Sequence, residues 1–101
     1  MTLEDAAIQL EALGNFTRLS IYRFLVKAGP DGSTVGAIRD ELDIPSSTLS
    51  HHIAKLVNAG LLSQERDSRS LVCNADSESM DHLMAFMVQN CCGEDWIIQD
   101  D

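Results

Sequence analysis

The sequence predicts a mainly α-helical domain with one small β-hairpin, and three observations support this prediction. In five segments apolar residues recur at steps of three and four, which is the spacing of one face of an α-helix. Two short stretches, residues 61–67 and 70–73, flank the turn-forming triplet Asp67-Ser68-Arg69, as the strands of a hairpin would. The chain has 101 residues, 45% of them hydrophobic, which suits one small globular domain.

Caps and breakers place the ends of the predicted helices. The five helices are Leu3–Leu13, Phe16–Ala28, Val35–Leu42, a helix over residues 45–58 and a last helix from about residue 78 to residue 90. Side-chain oxygens that can accept from free helical N–H groups stand at four helix starts. The predicted N-terminal caps are Asn15, Ser33 or Thr34, Ser46 or Ser47, and Asp76-Ser77. Gly60 is placed for a left-handed cap at the end of the fourth helix.

The third and fourth helices are joined by the short turn Asp43-Ile44-Pro45, whose brevity suits the steep angle of a helix-turn-helix. The fourth helix turns one apolar stripe inwards. Its other side carries hydroxyl groups, imidazoles and one lysine ammonium group, which are side chains that fit into a DNA major groove. These residues are Ser47, Thr48, Ser50, His51, His52 and Lys55. The hairpin that follows carries Arg66 and Arg69 near its tip, where they suit a phosphate backbone. The alternative is an ordinary solvated helix face.

Residues 50–72, SHHIAKLVNAGLLSQERDSRSLV, resemble the recognition helix and wing of the ArsR/SmtB family of winged helix-turn-helix metalloregulatory repressors. Residues 12–25, ALGNFTRLSIYRFL, are similar to the second helix of that family. The chain departs from the family at Asn15-Phe16, where a proline often opens the second helix. The resemblance implies a cytoplasmic homodimer that binds double-stranded operator DNA, with the first and last helices at the dimer interface. The broad apolar face of the last helix suits such a partner, although it could also cover only its own core.

This resemblance divides the candidate DNA contacts into two groups. Ser47, Thr48, Ser50, His51 and His52 are expected to contact base edges or nearby phosphates, and Lys55, Arg66 and Arg69 the backbone. Arg39 is a further candidate for a phosphate contact. Arg18 is expected to pack or to form a salt bridge rather than to contact DNA.

The net charge of −9 argues against nucleic-acid binding, but its distribution weakens that argument. Residues 76–101 contain seven acidic side chains and no Lys or Arg, whereas residues 1–75 contain seven basic and nine acidic ones. We therefore predict a DNA-binding and dimerisation domain over residues 1–93 and an acidic C-terminal tail over residues 94–101. An acidic end held away from DNA is compatible with binding elsewhere.

Cys91 and Cys92 stand side by side where the last helix is predicted to end. Adjacent cysteines form only a strained disulfide, but two thiolates suit one soft ion such as arsenite, antimonite, Zn, Cd or Cu(I). The sequence Asn-Cys-Cys-Gly over residues 90–93 resembles the ending of an arsenic-responsive ArsR subgroup. This implies trivalent arsenic, as arsenite or methylarsenite, as an inducer, with no permanent cofactor. The alternative is two inert small side chains.

The number of thiolates separates the two arsenicals. Inorganic arsenite favours three thiolates, whereas methylarsenite needs only two. Cys73 is the only possible third cysteine ligand, approaching Cys91 and Cys92 from the other subunit, and its alternative role is that of a buried strand residue.

Other functions have less support in the sequence. Asp81 and His82 do not make a complete zinc site, because no second histidine follows them. The chain shows neither a nucleophile elbow nor a glycine-rich phosphate loop, so we do not expect an enzyme. It also shows no leader and no apolar run of membrane length, so we expect a cytoplasmic protein without membrane contact. Two alternatives stay open: a repressor of the same fold that senses thiol oxidation or persulfides, and a protein-interaction module that does not bind DNA.

Overall fold

The computed structural model describes residues 1–90, and these form five helices and a three-stranded antiparallel sheet. In chain order the elements are α1 (Leu3–Leu13), α2 (Phe16–Ala28), β1 (Ser33–Thr34), α3 (Val35–Leu42), α4 (Ser46–Asn58), β2 (Leu62–Asp67), β3 (Ser70–Ala75) and α5 (Ser77–Val88). The predicted class, mainly α with a small hairpin, is confirmed. The predicted boundary at residue 93, the tail, Cys91 and Cys92 lie outside the described residues. Within residues 1–90, no helix has both the length and the apolar character needed to cross a membrane.

Three of the four predicted N-terminal caps are confirmed. The side chains of Asn15, Thr34 and Asp76 each accept a hydrogen bond from the backbone N–H three residues further on, at 3.0–3.1 Å. Gly60 is also confirmed, because its φ of 80° lets the N–H groups of Gly60 and Leu61 bond back to carbonyls of the last turn of α4.

The predicted cap of α4 by Ser46 or Ser47 is wrong. The extended residue before this helix is Pro45, and no side chain caps the helix there. Both serines already lie inside the first turn, one and two residues too late to act as the N-terminal cap. The hydroxyl of Ser46 instead accepts a hydrogen bond from the guanidinium of Arg39, at 3.5 Å.

The sheet has the strand order β1-β3-β2. The hairpin of β2 and β3, which we call the wing, pairs Asp67 with Ser70 at its tip, and Ser68 in the turn between them has a φ of 61°. The strand β1 was not predicted, because two residues carry no periodic pattern. It forms when Ser33 pairs with Cys73, and this pairing fixes the wing against the start of α3.

The core lies between α4, α2, α3 and the base of the wing. The predicted stripe of α4 supplies Leu49, Ile53 and Leu56, all wholly or almost wholly buried. They share one cluster with buried side chains from the neighbouring elements, including Ile21, Leu25, Ile38, Leu61 and Cys73. Because these contacts hold one side of α4 against the protein, they direct its opposite side towards solvent.

The apolar spacing predicts that α1 buries a stripe that includes Leu3 and that α2 buries one that includes Phe16, and both predictions are partly wrong. On α1 the buried residues are Ala6, Gln9 and Ala12, whereas Leu3 is 76% exposed. On α2 the buried side includes Ile21, Tyr22 and Leu25, whereas Phe16 at the start of the helix is 87% exposed. Small side chains let α1 approach its neighbours closely, and the larger apolar residues are left on the surface.

Gly32 and Gly29 give a matched test of how β1 is held to the sheet. Both have a positive φ, 70° and 81°, so alanine is strained at either position. A Cβ at Gly32 would also overlap the backbone oxygen of Cys73 and lie 2.6 Å from Nδ2 of Asn74, whereas a Cβ at Gly29 meets nothing within 4 Å. We expect Gly32→Ala to lower the free energy of unfolding in urea by about 1–3 kcal/mol more than Gly29→Ala. Equal losses would show that the approach of β1 to β3 is not tight.

Candidate nucleic-acid interface

The outward side of α4 carries most of the residues predicted to contact DNA. Ser47, Thr48, Ser50 and His51 are all exposed. At 100° per residue, Ser47 and His51 lie opposite the buried stripe, with Thr48 and Ser50 on either side of them. The left-handed residue Asp43, with a φ of 53°, ends α3 and allows the short turn that brings α4 across it. The arrangement leaves one face of α4 available to a groove of DNA.

His52 lies on the flank of α4 rather than in the centre of this face. It is partly buried, and its Nδ1 is 3.3 Å from a terminal guanidinium nitrogen of Arg18 on α2. Burial, the charge of Arg18 and the neighbouring His51 lower the pKa of His52 below its usual value, in that order of importance. His52 is therefore held as a neutral imidazole near pH 7.

Arg18 is buried, which agrees with the prediction that it packs instead of contacting DNA. Only 9% of the residue is exposed. Its Nε donates to the carbonyl oxygen of Ala12 at 2.6 Å and a terminal nitrogen donates to that of Glu11 at 3.3 Å. These are carbonyls of the last turn of α1, where a cation is favourable.

Lys55, predicted to contact the DNA backbone, is paired with an acidic residue in the free protein. Its Nζ lies 3.2 Å from Oε1 of Glu11 on α1. Both side chains are well exposed, so this pair contributes little to stability. The effect of the ion pair is local, because it places the carboxylate of Glu11 next to Lys55, the only lysine of α4. The pair lies at one edge of the exposed face of α4 that includes His51.

The wing presents Arg66 and Arg69 to solvent. Both residues are exposed, Arg66 on β2 and Arg69 in the turn. Within residues 1–90, neither guanidinium lies within ion-pair distance of a carboxylate. Arg39 differs, since its Nε is 3.4 Å from Asp40 and another of its nitrogens reaches Ser46 at the start of α4. The predicted phosphate contact by Arg39 stays a prediction.

Cys73 is wholly buried on β3. Nε2 of Gln64, its partner on β2, lies 3.6 Å from the sulfur. Burial raises the pKa of this thiol more than the hydrogen bond from Gln64 lowers it, so the neutral thiol predominates near pH 7. Metal ligation needs the thiolate, and this environment disfavours it. Among residues 1–90, no group of three His, Cys, Asp or Glu side chains is placed to hold a metal ion.

Sequence reasoning missed the contacts that join α1 to α4. Besides the pair formed by Glu11 and Lys55, Nε2 of the buried Gln9 donates to the carbonyl oxygen of Ala59 at 3.0 Å. These partners are separated by more than forty positions in the chain, so local periodicity gives no sign of them. Gln9 also lies outside the apolar stripe that helical spacing predicts for α1, so that pattern does not mark it as buried.

Comparisons with known proteins place this arrangement in a family. A family model described as a helix-turn-helix domain matches residues 13–65, about half of the chain. The chain is 26% identical over 89 residues to the HTH-type transcriptional regulator YgaV of Escherichia coli (strain K12), covering 88% of each. It is 34% identical over 80 residues to the nodulation protein NolR of Rhizobium meliloti, covering 76% of this chain and 63% of NolR.

A solved structure extends the comparison to three dimensions. The homodimeric winged helix-turn-helix DNA-binding domain of Mb0332 from Mycobacterium bovis, described as a possible ArsR-family transcriptional regulator, superimposes with a TM-score of 0.71. The identity is 25%, and the match covers 84% of this chain and 76% of that one.

Replacing Glu11 tests whether its carboxylate weakens the interface. Glu11→Gln removes the partner of Lys55 and a negative charge beside α4, so affinity for duplex DNA of any sequence should rise by about two- to fivefold at low salt. Fluorescence anisotropy with a labelled duplex measures this change. The control is Glu4→Gln, in the first turn of the same helix, which changes the net charge equally. An equal gain in both variants would mean that only the net charge matters.

Proposed function

The chain belongs to the ArsR family of winged helix-turn-helix transcriptional regulators, which bind DNA and are not enzymes, and from this premise we propose a repressor released by trivalent arsenic. The repressor would bind operator DNA as a homodimer, and a trivalent arsenical on Cys91 and Cys92 would release it. The observation that carries the proposal is the position of these two cysteines. They are the third and fourth residues after the end of α5, and α5 also presents the apolar side chains available to a partner subunit.

The proposed DNA contacts use the two exposed parts of the fold described above. Ser47, Thr48, Ser50, His51 and His52 of α4 would meet base edges or nearby phosphates, and Lys55 with Arg66 and Arg69 of the wing would meet the backbone. Short hydroxyl and imidazole side chains can approach base edges closely, whereas the longer arginines of the wing reach outwards. Lys55 would exchange Glu11 for a phosphate on binding.

The proposed dimer interface is formed by α1 and α5, which contact each other. Large apolar side chains on both helices are substantially exposed: Leu3, Ile8, Leu10, Met84 and Met87. An apolar surface of this extent on a small domain suits a second copy of the chain, and the homodimeric state of Mb0332 supports this assignment. Two-fold symmetry would then present two α4 helices to half-sites about one DNA turn apart.

The proposed inducer site needs only two protein thiolates. Cys73 is buried and protonated, which makes it a poor third ligand without a rearrangement of the core. Methylarsenite, which already has one carbon ligand, therefore fits Cys91 and Cys92 better than inorganic arsenite. To cause release, the arsenical must prefer the dimer geometry that does not bind DNA, by about 1–3 kcal/mol or more. Ligation next to α5 would bias that geometry directly, since α5 is also the interface helix.

Release of DNA on titration tests the inducer. We expect methylarsenite to lower the anisotropy of a bound operator duplex at close to stoichiometric amounts, and arsenite to do so less effectively. Cys91→Ser and Cys92→Ser should each abolish the response without preventing DNA binding, whereas the control Cys73→Ala should keep it.

Other outcomes would contradict the inducer proposal in different ways. Loss of the response in Cys73→Ala, with folding intact, would mean that three thiolates are used. Release by a mild oxidant, reversed by a reductant and not produced by either arsenical, would favour the redox sensor. A failure to bind any duplex would favour an interaction module that does not bind DNA.

The wing arginines give a test of backbone contact. Arg66→Ala and Arg69→Ala should each weaken binding by about three- to tenfold, equally for an operator and for a scrambled duplex. Each should also reduce the number of ions released on binding, measured from the salt dependence of the affinity, by about one. The control is Arg23→Ala, which removes an exposed arginine from α2 and changes the net charge equally. If this control loses as much affinity as the two wing variants, the wing has no special part in binding.

A charge on α5 tests the interface. Met87→Glu should raise the dimer dissociation constant at least about tenfold in sedimentation equilibrium, because a desolvated carboxylate would replace an apolar contact. Val26→Glu on α2 is the matched control, since Val26 is 41% exposed and Met87 46%. An unchanged constant in Met87→Glu would exclude α5 from the interface.

A further inference from the structure

We propose that Arg18 is a positioning residue for DNA recognition: it holds His52 in the tautomer protonated on Nε2, so that His52 meets DNA as a hydrogen-bond donor. This inference rests on the proposed function, because it takes α4 to be the helix that contacts DNA. It adds a role for a residue that does not itself reach the interface.

The tautomer follows from the chemistry of the two groups. Nδ1 of His52 lies 3.3 Å from a terminal nitrogen of Arg18. A guanidinium has five N–H donors and no acceptor, so the nitrogen that faces it must carry a lone pair. A neutral imidazole has one N–H, and with Nδ1 acting as the acceptor that proton is on Nε2.

The neutral state follows from the charges around the ring. Protonating His52 would place a second cation 3.3 Å from the guanidinium of Arg18 on α2. On α4 itself the ring lies next to that of His51 and has Lys55 three residues further on, and on α1 the carboxylate of Glu11 pairs with Lys55. The pKa of His52 is lowered accordingly. The ring therefore keeps one fixed pattern of donor and acceptor around pH 7.

Arg18 can impose this pattern because its own position is fixed. Its side chain is bonded to the carbonyl oxygens of Ala12 and Glu11, and its backbone N–H donates to Oδ1 of Asn15 at 3.0 Å. Residues 1–90 offer its guanidinium no carboxylate within ion-pair distance, so the hydrogen bonds and the end of α1 stabilise its charge. The orientation of His52 thus depends on where α1 ends.

For recognition, this tautomer means that His52 presents DNA with a hydrogen-bond donor of fixed direction. The two ring nitrogens point in nearly opposite directions, so Nδ1 faces Arg18 while the Nε2–H points away from it. The partner on DNA must therefore be an acceptor, either a phosphate oxygen or a base acceptor such as purine N7, guanine O6 or thymine O4. An amino group on a base, which only donates, would not suit His52.

The tautomer can be measured without DNA. In long-range 1H–15N spectra of protein labelled at histidine, wild-type His52 should be protonated on Nε2 and should titrate below the usual pKa of histidine. Arg18→Met should raise the midpoint of His52 and remove the preference for Nε2, while burial keeps the midpoint somewhat below the usual value. A proton on Nδ1 in the wild type would overturn the proposal, whether or not the variant folds. The proposal also fails if a folded Arg18→Met leaves both properties unchanged.

Two substitutions of His52 separate its two nitrogens. Asparagine places an amide near Nδ1, where it can accept from Arg18 but lacks the outer donor. Glutamine places an amide near Nε2, where it can donate to DNA but no longer accepts from Arg18. We expect His52→Gln to bind about tenfold more tightly than His52→Asn. The probe is a duplex selected by the wild type from a random pool, and equal affinities of the two variants would overturn the donor role.

A scrambled duplex of the same composition distinguishes the two sources of the acceptor. A difference between the variants on both duplexes indicates a phosphate oxygen, and a difference on the selected duplex alone indicates an acceptor on a base. If the wild-type protein enriches no duplex from the random pool, the proposed function is refuted. The tautomer of His52 is still tested separately, because it is measured without DNA.

Discussion

The buried guanidinium of Arg18 is the interaction on which the arrangement of α1, α2 and α4 depends. A cation that is only 9% exposed is costly unless each of its donors finds an acceptor. Here the acceptors are the last carbonyls of α1 and one nitrogen of His52, so satisfying a single side chain of α2 fixes both neighbouring helices. Apolar packing also holds α4 in place, with Ala12 near the end of α1 in the same buried cluster, and the directional hydrogen bonds of Arg18 add to this packing.

The contacts of α1 with α4 join two surfaces that would serve different purposes. The outer side of α1 carries exposed apolar residues such as Leu3 and Ile8, and its inner side reaches α4 through Gln9 and Glu11. The same short helix therefore separates the proposed dimer interface from the proposed DNA interface. A change in how two subunits pack against α1 would be transmitted to α4 through these polar contacts, because hydrogen bonds and ion pairs form only over a narrow range of distances.

The charge of the protein fits its function once its distribution is considered. A net charge of −9 would repel DNA if it were spread evenly, but much of it belongs to the last quarter of the chain. The side of α4 that faces solvent is nearly neutral, and the wing adds Arg66 and Arg69. Glu11 reduces the local positive charge further. At the proposed interface, binding would thus depend on a few placed contacts, which favours selective over non-specific binding.

The sequence by itself determined the five helices, the hairpin, three helix caps and the outward face of α4, because all of these follow from periodicity or from neighbours within four residues. Only the tertiary structure decided that β1 forms, that Leu3 and Phe16 are exposed, that Cys73 is buried and that His52 binds Arg18. The physical reason is the range of the interactions. A local pattern shows which residues are apolar, whereas the choice of which apolar side is covered depends on partners that lie tens of residues away.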